Sequence, residues 1–386
     1  MRCLALKTAD YVIVGGGIMG LSTAYNLAKK GAKNILLIEQ KYIGYGGSGR
    51  PGSGVRSQYA RAERVVMGRE SVKLWENLSE ELGHNCGFEQ KGYAYALYDE
   101  NLIDRYKNFT LMHQSLGVPS QVISPEELKE IVPLFNTEGV VAAIYCATDG
   151  KYDPFGTICA YFLAGKRLGI EYMQHTELLG AKLLPSGDWL LKTSKCEITA
   201  GTMIITCGSW SCKIGDMVGE NIPVAPFVEE AMVTEPLAPD TIKPLLNLKT
   251  EKYNDFWLTQ TTVNGGVIFG WGHAQWVTGE PSYDMTTSQE YAQINAWNLV
   301  RAFPSFANVN IVRHFSGFFD ITPDREPIIS KVGPNQLYTG LGCTFMHSPI
   351  GGQALAELIL EGKIKCISED FCSMERFKKP VEIMAY

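Results

Sequence analysis

The chain has 386 residues, 45% of them hydrophobic, and a formal net charge of −6. This length accommodates two or three domain-sized units, and the apolar fraction is typical of a globular enzyme with a sizeable core. The acidic balance without a clustered basic run argues against nucleic-acid binding, and no apolar run approaches the ~20 residues that cross a bilayer.

The N-terminus predicts a βαβ unit that binds an adenine dinucleotide. An apolar run at 11–14 is typical of a buried strand, and Gly15, Gly17 and Gly20 then form a G-x-G-x-x-G turn into a helix. These glycines allow the tight turn, close approach to a pyrophosphate and close helix packing, while the helix N-terminus attracts the anion. A second apolar strand ends at Glu39, about 20 residues further on, where an acid can bind ribose hydroxyls.

A second glycine-rich segment, residues 44–56, follows this unit. Such a stretch is compatible with a disordered linker. The buried strand before it and a helix predicted at about 61–82 favour instead a loop over a flavin, with Ser48 and Arg50 as anion partners.

The remaining chain predicts helices at 100–117, from a capped start at 124–127, at 153–167, at 286–302 and at 350–361. Residues 223–315 are otherwise rich in strands. We therefore expect an α/β fold in which a Rossmann-like FAD-binding domain of the glutathione-reductase type carries an inserted α+β substrate domain with a mixed or antiparallel sheet. The expected FAD-binding domain comprises 1–87, 147–222 and 316–386, and the substrate domain comprises 88–146 and 223–315.

These motifs, with those at 148–154, 205–211, 322–327 and 340–346, resemble the D-amino-acid oxidase superfamily of flavoproteins over essentially the whole chain. Residues 71–75, 258–261 and 265–268 are most similar to the β subunits of dye-linked L-proline dehydrogenases and heteromeric sarcosine oxidases. The resemblance implies FAD, a carbon–nitrogen bond as substrate and an electron-accepting partner subunit. It leaves open a second flavin, FMN, at a subunit interface.

The resemblance also implies site residues. Arg56 matches an arginine that pairs with the substrate carboxylate, a task suited to the guanidinium fork; a surface or phosphate-binding role is the alternative. The expected cofactor contacts are Gly15, Gly17, Ile18, Met19, Gly20, Glu39, Gln40, Lys41, Gly47, Ser48, Arg50, Cys207, Gly208, Trp210, Gly342, Cys343, Thr344, Phe345 and Met346.

Four positions depart from relatives. Residues 342–344 read Gly-Cys-Thr where relatives carry Gly-His-Gly, although backbone amides there could still face the flavin. Ile268 stands where sarcosine oxidases have a lysine that helps O₂ accept electrons. Gly317 stands where some relatives attach flavin through a cysteine, and Phe319 where glycine and D-amino-acid oxidases carry a carboxylate-binding arginine. The departures at 268, 317 and 319 favour a dehydrogenase, whereas the Gly-Cys-Thr departure keeps a non-catalytic flavin-binding subunit as an alternative.

We therefore expect an FAD-dependent amine dehydrogenase that oxidises a small secondary amino acid, first L-proline and then sarcosine, by hydride transfer to flavin N5. Electrons would pass to a partner subunit or a dye. An oxidase that releases hydrogen peroxide and a non-catalytic flavin-binding subunit remain alternatives, and an NAD-dependent dehydrogenase is the weakest. Tyr253, Phe256, Trp257 and Trp271 are candidates for pocket walls or ordinary core.

The scattered cysteines and histidines show no metal-type spacing, so no metal site is predicted. The ten cysteines contain no C-x-x-C pair. Free thiols in a reducing compartment fit this pattern better than a disulfide framework. Since the first apolar segment is the glycine-rich strand and not a signal peptide, a cytoplasmic location is expected.

Overall fold

Two large β-sheets organise the chain. The computed structural model describes residues 6–249, 256–271, 275–276, 287–333 and 335–379, with only the backbone described at 275–276. The strands are β1 (Leu6–Val14), β2 (Ile35–Ile38), β3 (Gly54–Val55), β4 (Tyr93–Leu97), β5 (Ser120–Ile123), β6 (Ala142–Cys146), β7 (Gly150–Lys151), β8 (Glu171–Met173), β9 (Leu178–Leu183), β10 (Trp189–Thr193), β11 (Glu197–Ile205), β12 (Ala225–Pro236), β13 (Leu245–Lys249), β14 (Phe256–Gln260), β15 (Gly266–Gly270), β16 (Gln275–Trp276), β17 (Ile311–Ile321), β18 (Ile328–Lys331) and β19 (Leu337–Leu341).

The helices follow the sequence signals closely. They are α1 (Ile18–Lys29), α2 (Ala62–Leu82), α3 (Ile103–Ser115), α4 (Pro125–Ile131), α5 (Pro154–Arg167), α6 (Ser211–Val218), α7 (Gln289–Ala302), α8 (Ser348–Glu361) and α9 (Glu369–Cys372). The Ser124 side chain and Glu127 close a capping box at the start of α4, and Asp153 caps α5 by accepting from two backbone N–H groups. The helices predicted at 61–82, 124–127, 153–167, 286–302 and 350–361 are confirmed, and the one predicted at 100–117 is shorter.

The first sheet has a Rossmann-like parallel centre. Its order is β18-β19-β11-β1-β2-β8, with β10 and β9 added beside β11. Strand β1 pairs in parallel with both β2 and β11, so that Val14 lies beside Ile38 and Ile205 where all three strands end. Helix α1 packs against α5 and α8 on one face, and its buried side includes Leu21, Ala24 and Ala28.

The second sheet is mixed. Its order is β16-β12-β15-β14-β13-β4-β6-β5, with β17 paired along the other edge of β12. Strands β13 and β4 are parallel, and the other neighbours are antiparallel. Leu128 of α4 and Leu299 of α7 pack in the apolar core on one face of this sheet.

This architecture confirms the expected fold class. Strands of the first sheet come from 6–38, 171–205 and 328–341, and those of the second from 93–146 and 225–321. Strand β17 crosses the predicted boundary at 315/316, and the domain boundaries remain a prediction.

Two findings on the described residues bear on other expectations. None of the described helices combines the length and hydropathy that a membrane span requires. In the described ranges, no cluster of His, Cys, Asp and Glu side chains is placed to hold a metal ion.

Candidate active site

A large cavity lies where the carboxyl ends of β1, β11 and β19 face strands β12 and β17. Its volume is about 370 Å³. The cavity extends from Glu39, beyond β2, to the loop before α8. Ligands of open α/β sheets bind at this end of the strands.

The glycine-rich turn forms one wall. Gly15 has a φ of +110°, and a Cβ on Gly20 would lie 2.1 Å from the Gly15 carbonyl oxygen, so α1 can approach the turn only without a side chain there. The Ile18 N–H at the start of α1 donates to Ser48 Oγ at 2.9 Å. The second glycine-rich segment thus closes over the helix N-terminus, and a Cβ on Gly17 would lie 3.1 Å from that same oxygen.

Glu39 lies at the nucleotide end of the cavity. Its carboxylate accepts from the Gly16 N–H at 2.8 Å and from the Lys41 N–H at 2.8 Å. Burial raises the pKa of Glu39, and these backbone donors oppose the shift. The position suits a carboxylate that receives ribose hydroxyls.

Arg50 holds its own loop together. Its Nη1 donates to the carbonyl oxygen of Gly46 at 2.9 Å and also to that of Tyr45. The opposite wall approaches closely, because a Cβ on Gly317 would lie 3.1 Å from Arg50 Cβ. A side chain at this position would therefore crowd Arg50.

The structure brings most of the predicted cofactor residues together around this cavity. The exceptions are Gly20, Lys41, Gly342 and Met346. Gly20 packs beneath the turn, and Lys41 is exposed. The Gly342 N–H donates to Asp320 Oδ2 at 2.6 Å, and the Met346 carbonyl accepts from Ser71 Oγ at 2.5 Å and Trp75 Nε1 at 2.8 Å.

The loop before α8 forms the far end of the cavity. Cys343 is buried, and burial raises the pKa of its thiol to about 12. A neutral thiol of this kind behaves as a small apolar side chain. Burial also raises the pKa of Asp320, which lines this end, to about 6.

Arg56 does not line the main cavity and lies in a box of tyrosines beside it. Its Nη1 donates to Tyr95 Oη and, at 3.4 Å, to Tyr93 Oη, and its guanidinium lies 4.6 Å from the Tyr59 ring centroid. Its Nε is buried without a hydrogen-bond partner among the described residues. No carboxylate of the described residues forms an ion pair with this guanidinium.

His347 is a second donor near Arg56 that the sequence analysis missed. Its Nδ1 lies 3.3 Å from Arg64 Nη2 and 2.9 Å from Thr344 Oγ1. Since a guanidinium only donates, Nδ1 is the acceptor and Nε2 carries the proton. Burial, together with the charges of Arg64 and Arg56, lowers the pKa of His347 well below its usual range, and Nε2 is buried without a partner among the described residues.

Other lining residues were also missed. Tyr45 and Thr206 lie inside motifs that the sequence analysis recognised. Others come from parts of the chain without a recognised motif, and they include Thr176, Lys213, Glu229, Glu230, Phe315 and Asp320. Trp257, a predicted pocket wall, does line the cavity, and its Nε1 donates to Glu229 Oε1 at 2.9 Å. Phe256 is core, Trp271 packs beside that core, and Tyr253 lies outside the described residues.

A Rossmann-like sheet with this glycine turn, the Glu39 carboxylate and a long cavity defines a dinucleotide-binding oxidoreductase. A family model for FAD-dependent oxidoreductases, DAO, matches residues 10–358, and the chain belongs to this family. It is therefore an FAD-dependent oxidoreductase of an amino-acid-oxidising family that acts on C–N bonds, as the resemblance predicted.

Individual proteins are similar over most of the chain. The sarcosine oxidase subunit beta of Rhodobacter capsulatus is 27% identical, over 97% of this chain and 89% of that protein. The mitochondrial dimethylglycine dehydrogenase of Homo sapiens is 25% identical, over 92% of this chain and 43% of that protein. The crystal structure of L-proline dehydrogenase from P. horikoshii matches with a TM-score of 0.90 and 34% identity, over 97% of this chain and 99% of that one.

Proposed function

We propose that this chain is a dehydrogenase for a small secondary amino acid, with L-proline the first candidate and sarcosine the second. The observation that carries the proposal is the Arg56 guanidinium, held among three tyrosines with no carboxylate partner in the described residues. The side chain is only partly exposed to solvent, and a shielded cation that forms no ion pair is costly unless an anion completes the site. A substrate carboxylate would complete it through two parallel N–H bonds.

His347 also supports a binding site for the substrate carboxylate. Its neutral Nε2–H is a buried donor without a partner in the described residues, and a buried donor left unpaired costs free energy. Arg56 and His347 both lie against Tyr59, because the guanidinium is 4.6 Å and the imidazole centroid 5.4 Å from the Tyr59 ring centroid. Together they would bind and orient a carboxylate beside the far end of the cavity.

The donor set around the cavity fits FAD. The α1 N-terminus and Ser48 would hold the pyrophosphate and Glu39 the ribose, while residues 343–345 would lie against the flavin ring. FAD, when bound, would supply the acceptor for a hydride from the carbon next to the amine nitrogen. Hydride loss from a neutral secondary amine leaves an iminium ion, which becomes the imine when its N–H proton is released to water. The protein would exclude water and orient the substrate, and a neutral amine needs no general base for this step.

The electrons would leave through a partner subunit. A relative bears the name sarcosine oxidase subunit beta, and the similar L-proline dehydrogenase is a dehydrogenase by name. We infer that this chain likewise works within a heteromeric assembly. An FMN at a subunit interface is part of this proposal.

Anaerobic reduction of the flavin tests the proposal. The purified holoprotein is mixed in turn with L-proline, sarcosine, glycine and D-alanine while the oxidised-flavin absorbance is recorded. We expect L-proline to bleach the flavin most readily, with slow reoxidation in air and fast reoxidation by a dye. Rapid reoxidation in air would identify an oxidase, and a flavin that no secondary amine bleaches would favour the non-catalytic subunit.

A substitution at Ile268 tests why this chain should react slowly with O₂, which the oxidase alternative denies. It is buried on β15 beside Thr259 of β14, on the sheet face that also carries Trp257, a residue of the cavity wall. A lysine there would place a cation near the site of O₂ reduction, and we expect Ile268→Lys to accelerate reoxidation by O₂ by about tenfold or more. Stopped-flow mixing of the reduced enzyme with O₂ measures this rate.

The matched control is Ile268→Met, which fills similar volume without a charge. Equal O₂ rates in the lysine and methionine variants would remove the argument from this position. The rate of electron transfer to a dye, measured separately, would still report dehydrogenase activity in that case.

A further inference from the structure

Asp149 lies opposite Arg56, at the end of the short sheet formed by β3 and β7. Strands β3 and β7 are antiparallel, with Val55 paired to Gly150, so the next pair in this register is Arg56 and Asp149. Asp149 has an exposed fraction of 0%. It lies outside the cofactor cavity and has no part in the proposed chemistry.

Each oxygen of the Asp149 carboxylate accepts from a residue that follows Arg56. Ser57 donates to Oδ1 through its backbone N–H at 2.9 Å and through Oγ at 2.6 Å. Gln58 Nε2 donates to Oδ2 at 3.0 Å and also to the Tyr93 carbonyl at 3.2 Å. The Asp149 carboxylate therefore holds Ser57 and Gln58 in place, and Gln58 in turn contacts β4, the strand whose tyrosine hydroxyls contact the Arg56 guanidinium.

We propose that ionised Asp149 is a positioning residue that fixes Arg56 for the substrate carboxylate by holding Ser57 and Gln58. The inference rests on the proposed carboxylate-binding function of Arg56. Protonation of Asp149 would replace charge-assisted hydrogen bonds with weaker neutral ones. It would also place an O–H donor against groups that now donate, so the Ser57 hydroxyl or the Gln58 amide would have to reorient. Substrate carboxylate affinity therefore depends on the ionisation of Asp149.

The groups around Asp149 indicate that the expected pH dependence of carboxylate binding comes from Asp149 itself. Among the described residues, the charged and titratable groups that interact electrostatically with it include Arg56, Cys146 and Tyr145. Burial raises the pKa of Asp149 to about 6, and the Ser57 and Gln58 hydrogen bonds and Arg56 oppose this shift. Burial raises the pKa of Cys146 to about 12 and also that of Tyr145, so both remain neutral as Asp149 loses its proton.

The direction of the pH effect on carboxylate affinity follows from this pKa. As pH falls through about 6, Asp149 changes from charged to neutral, and the fraction able to hold Ser57 and Gln58 falls to about a tenth at one unit below its pKa. We expect the dissociation constant of a substrate-like carboxylate to rise about tenfold between about pH 8 and about pH 5.

The experiment measures binding of tetrahydrofuran-2-carboxylate, a proline-like carboxylate without an oxidisable amine, to the holoprotein by its effect on the flavin spectrum across this pH range. Asp149→Asn should weaken binding at about pH 8 by roughly tenfold, because hydrogen bonds to a charged group are lost, and should abolish the pH dependence. Ser57→Ala should keep the transition but move its midpoint to higher pH, because one donor to the ionised carboxylate is removed. A purely structural role would not move a midpoint.

Tyr145→Phe is the control, because it removes a titratable neighbour of Asp149 that lies outside the cofactor cavity; the transition should survive this change. Wild-type pH dependence that persists in Asp149→Asn, or that disappears in Tyr145→Phe, would overturn the inference. An Arg56→Ala protein that binds the carboxylate as tightly as the wild type would instead overturn the proposed function.

Discussion

Replacing Arg56 with alanine raises the apparent substrate constant by roughly 30-fold or more, while FAD stays bound. The expectation follows from the position of the guanidinium, which is outside the cofactor cavity and lacks a carboxylate partner among the described residues. Truncating one member of a buried charge pair costs about 2–5 kcal/mol, which corresponds to that change in affinity. Because this contact orients substrate and takes no part in the electron transfer, kcat should change less than KM.

Steady-state kinetics with a dye acceptor, together with flavin content, measures the effect. Arg56→Lys should fall between wild type and alanine, because a lysine keeps the charge and loses the two-pronged contact. Arg105→Ala removes the same charge from an exposed position on α3 and should leave KM unchanged. A KM in Arg56→Ala equal to that of the wild type would contradict the assignment.

Replacing Gly20 with alanine should release FAD and destabilise the fold. The new Cβ would lie 2.1 Å from the Gly15 carbonyl oxygen and 2.8 Å from Thr206 Oγ1. Since the first contact is with backbone, α1 must move away from the turn that faces the pyrophosphate site. Overpacking of this kind costs about 1–3 kcal/mol, and displacement of the helix N-terminus weakens anion binding further.

FAD retention after gel filtration and the urea midpoint of the apoprotein separate these two effects. Gly180→Ala is the matched control, because a Cβ at this position on β9 meets nothing within 4 Å. We expect full FAD content and an unchanged midpoint in the control. A Gly20→Ala protein that retains FAD as the wild type does would show that the close approach of helix and turn is dispensable.

The local elements of the fold were predictable because their signals are local. The G-x-G-x-x-G turn, the apolar runs at β1 and β2 and the capped starts of α4 and α5 each depend on a few adjacent residues. The start of α3 was less predictable, because Glu100–Leu102 form a 3₁₀ turn before the helix begins at Ile103. Its end has a local signal, since Gly117, with a φ of +79°, directly follows the C-cap residue Leu116.

The site was only partly predictable because much of it depends on pairing between distant strands. Glu229 reaches the cavity wall by pairing with Gly317 across β12 and β17. Asp149 meets Ser57 through β3 and β7. The His347 donor state depends on Arg64, which belongs to another element. Neither spacing nor periodicity along the chain reports such contacts.

The position of Arg56 illustrates the same limit. The resemblance implied an anion partner for this residue, which ends the glycine-rich segment, whereas the tyrosine box around it depends on β4. Tyr93 and Tyr95 are two residues apart on one strand and therefore share a face. The alternation along β4 is visible in the sequence, but its approach to Arg56 depends on the packing of the two sheets.

The most direct test of the account compares L-proline with pyrrolidine, the same ring without the carboxylate, as anaerobic reductants of the flavin in the wild type and in Arg56→Ala. We predict that wild-type flavin is reduced at much lower concentrations of L-proline than of pyrrolidine, and that Arg56→Ala removes most of this difference. A preference for L-proline that is undiminished in Arg56→Ala, or a bound flavin that neither amine reduces, would contradict it.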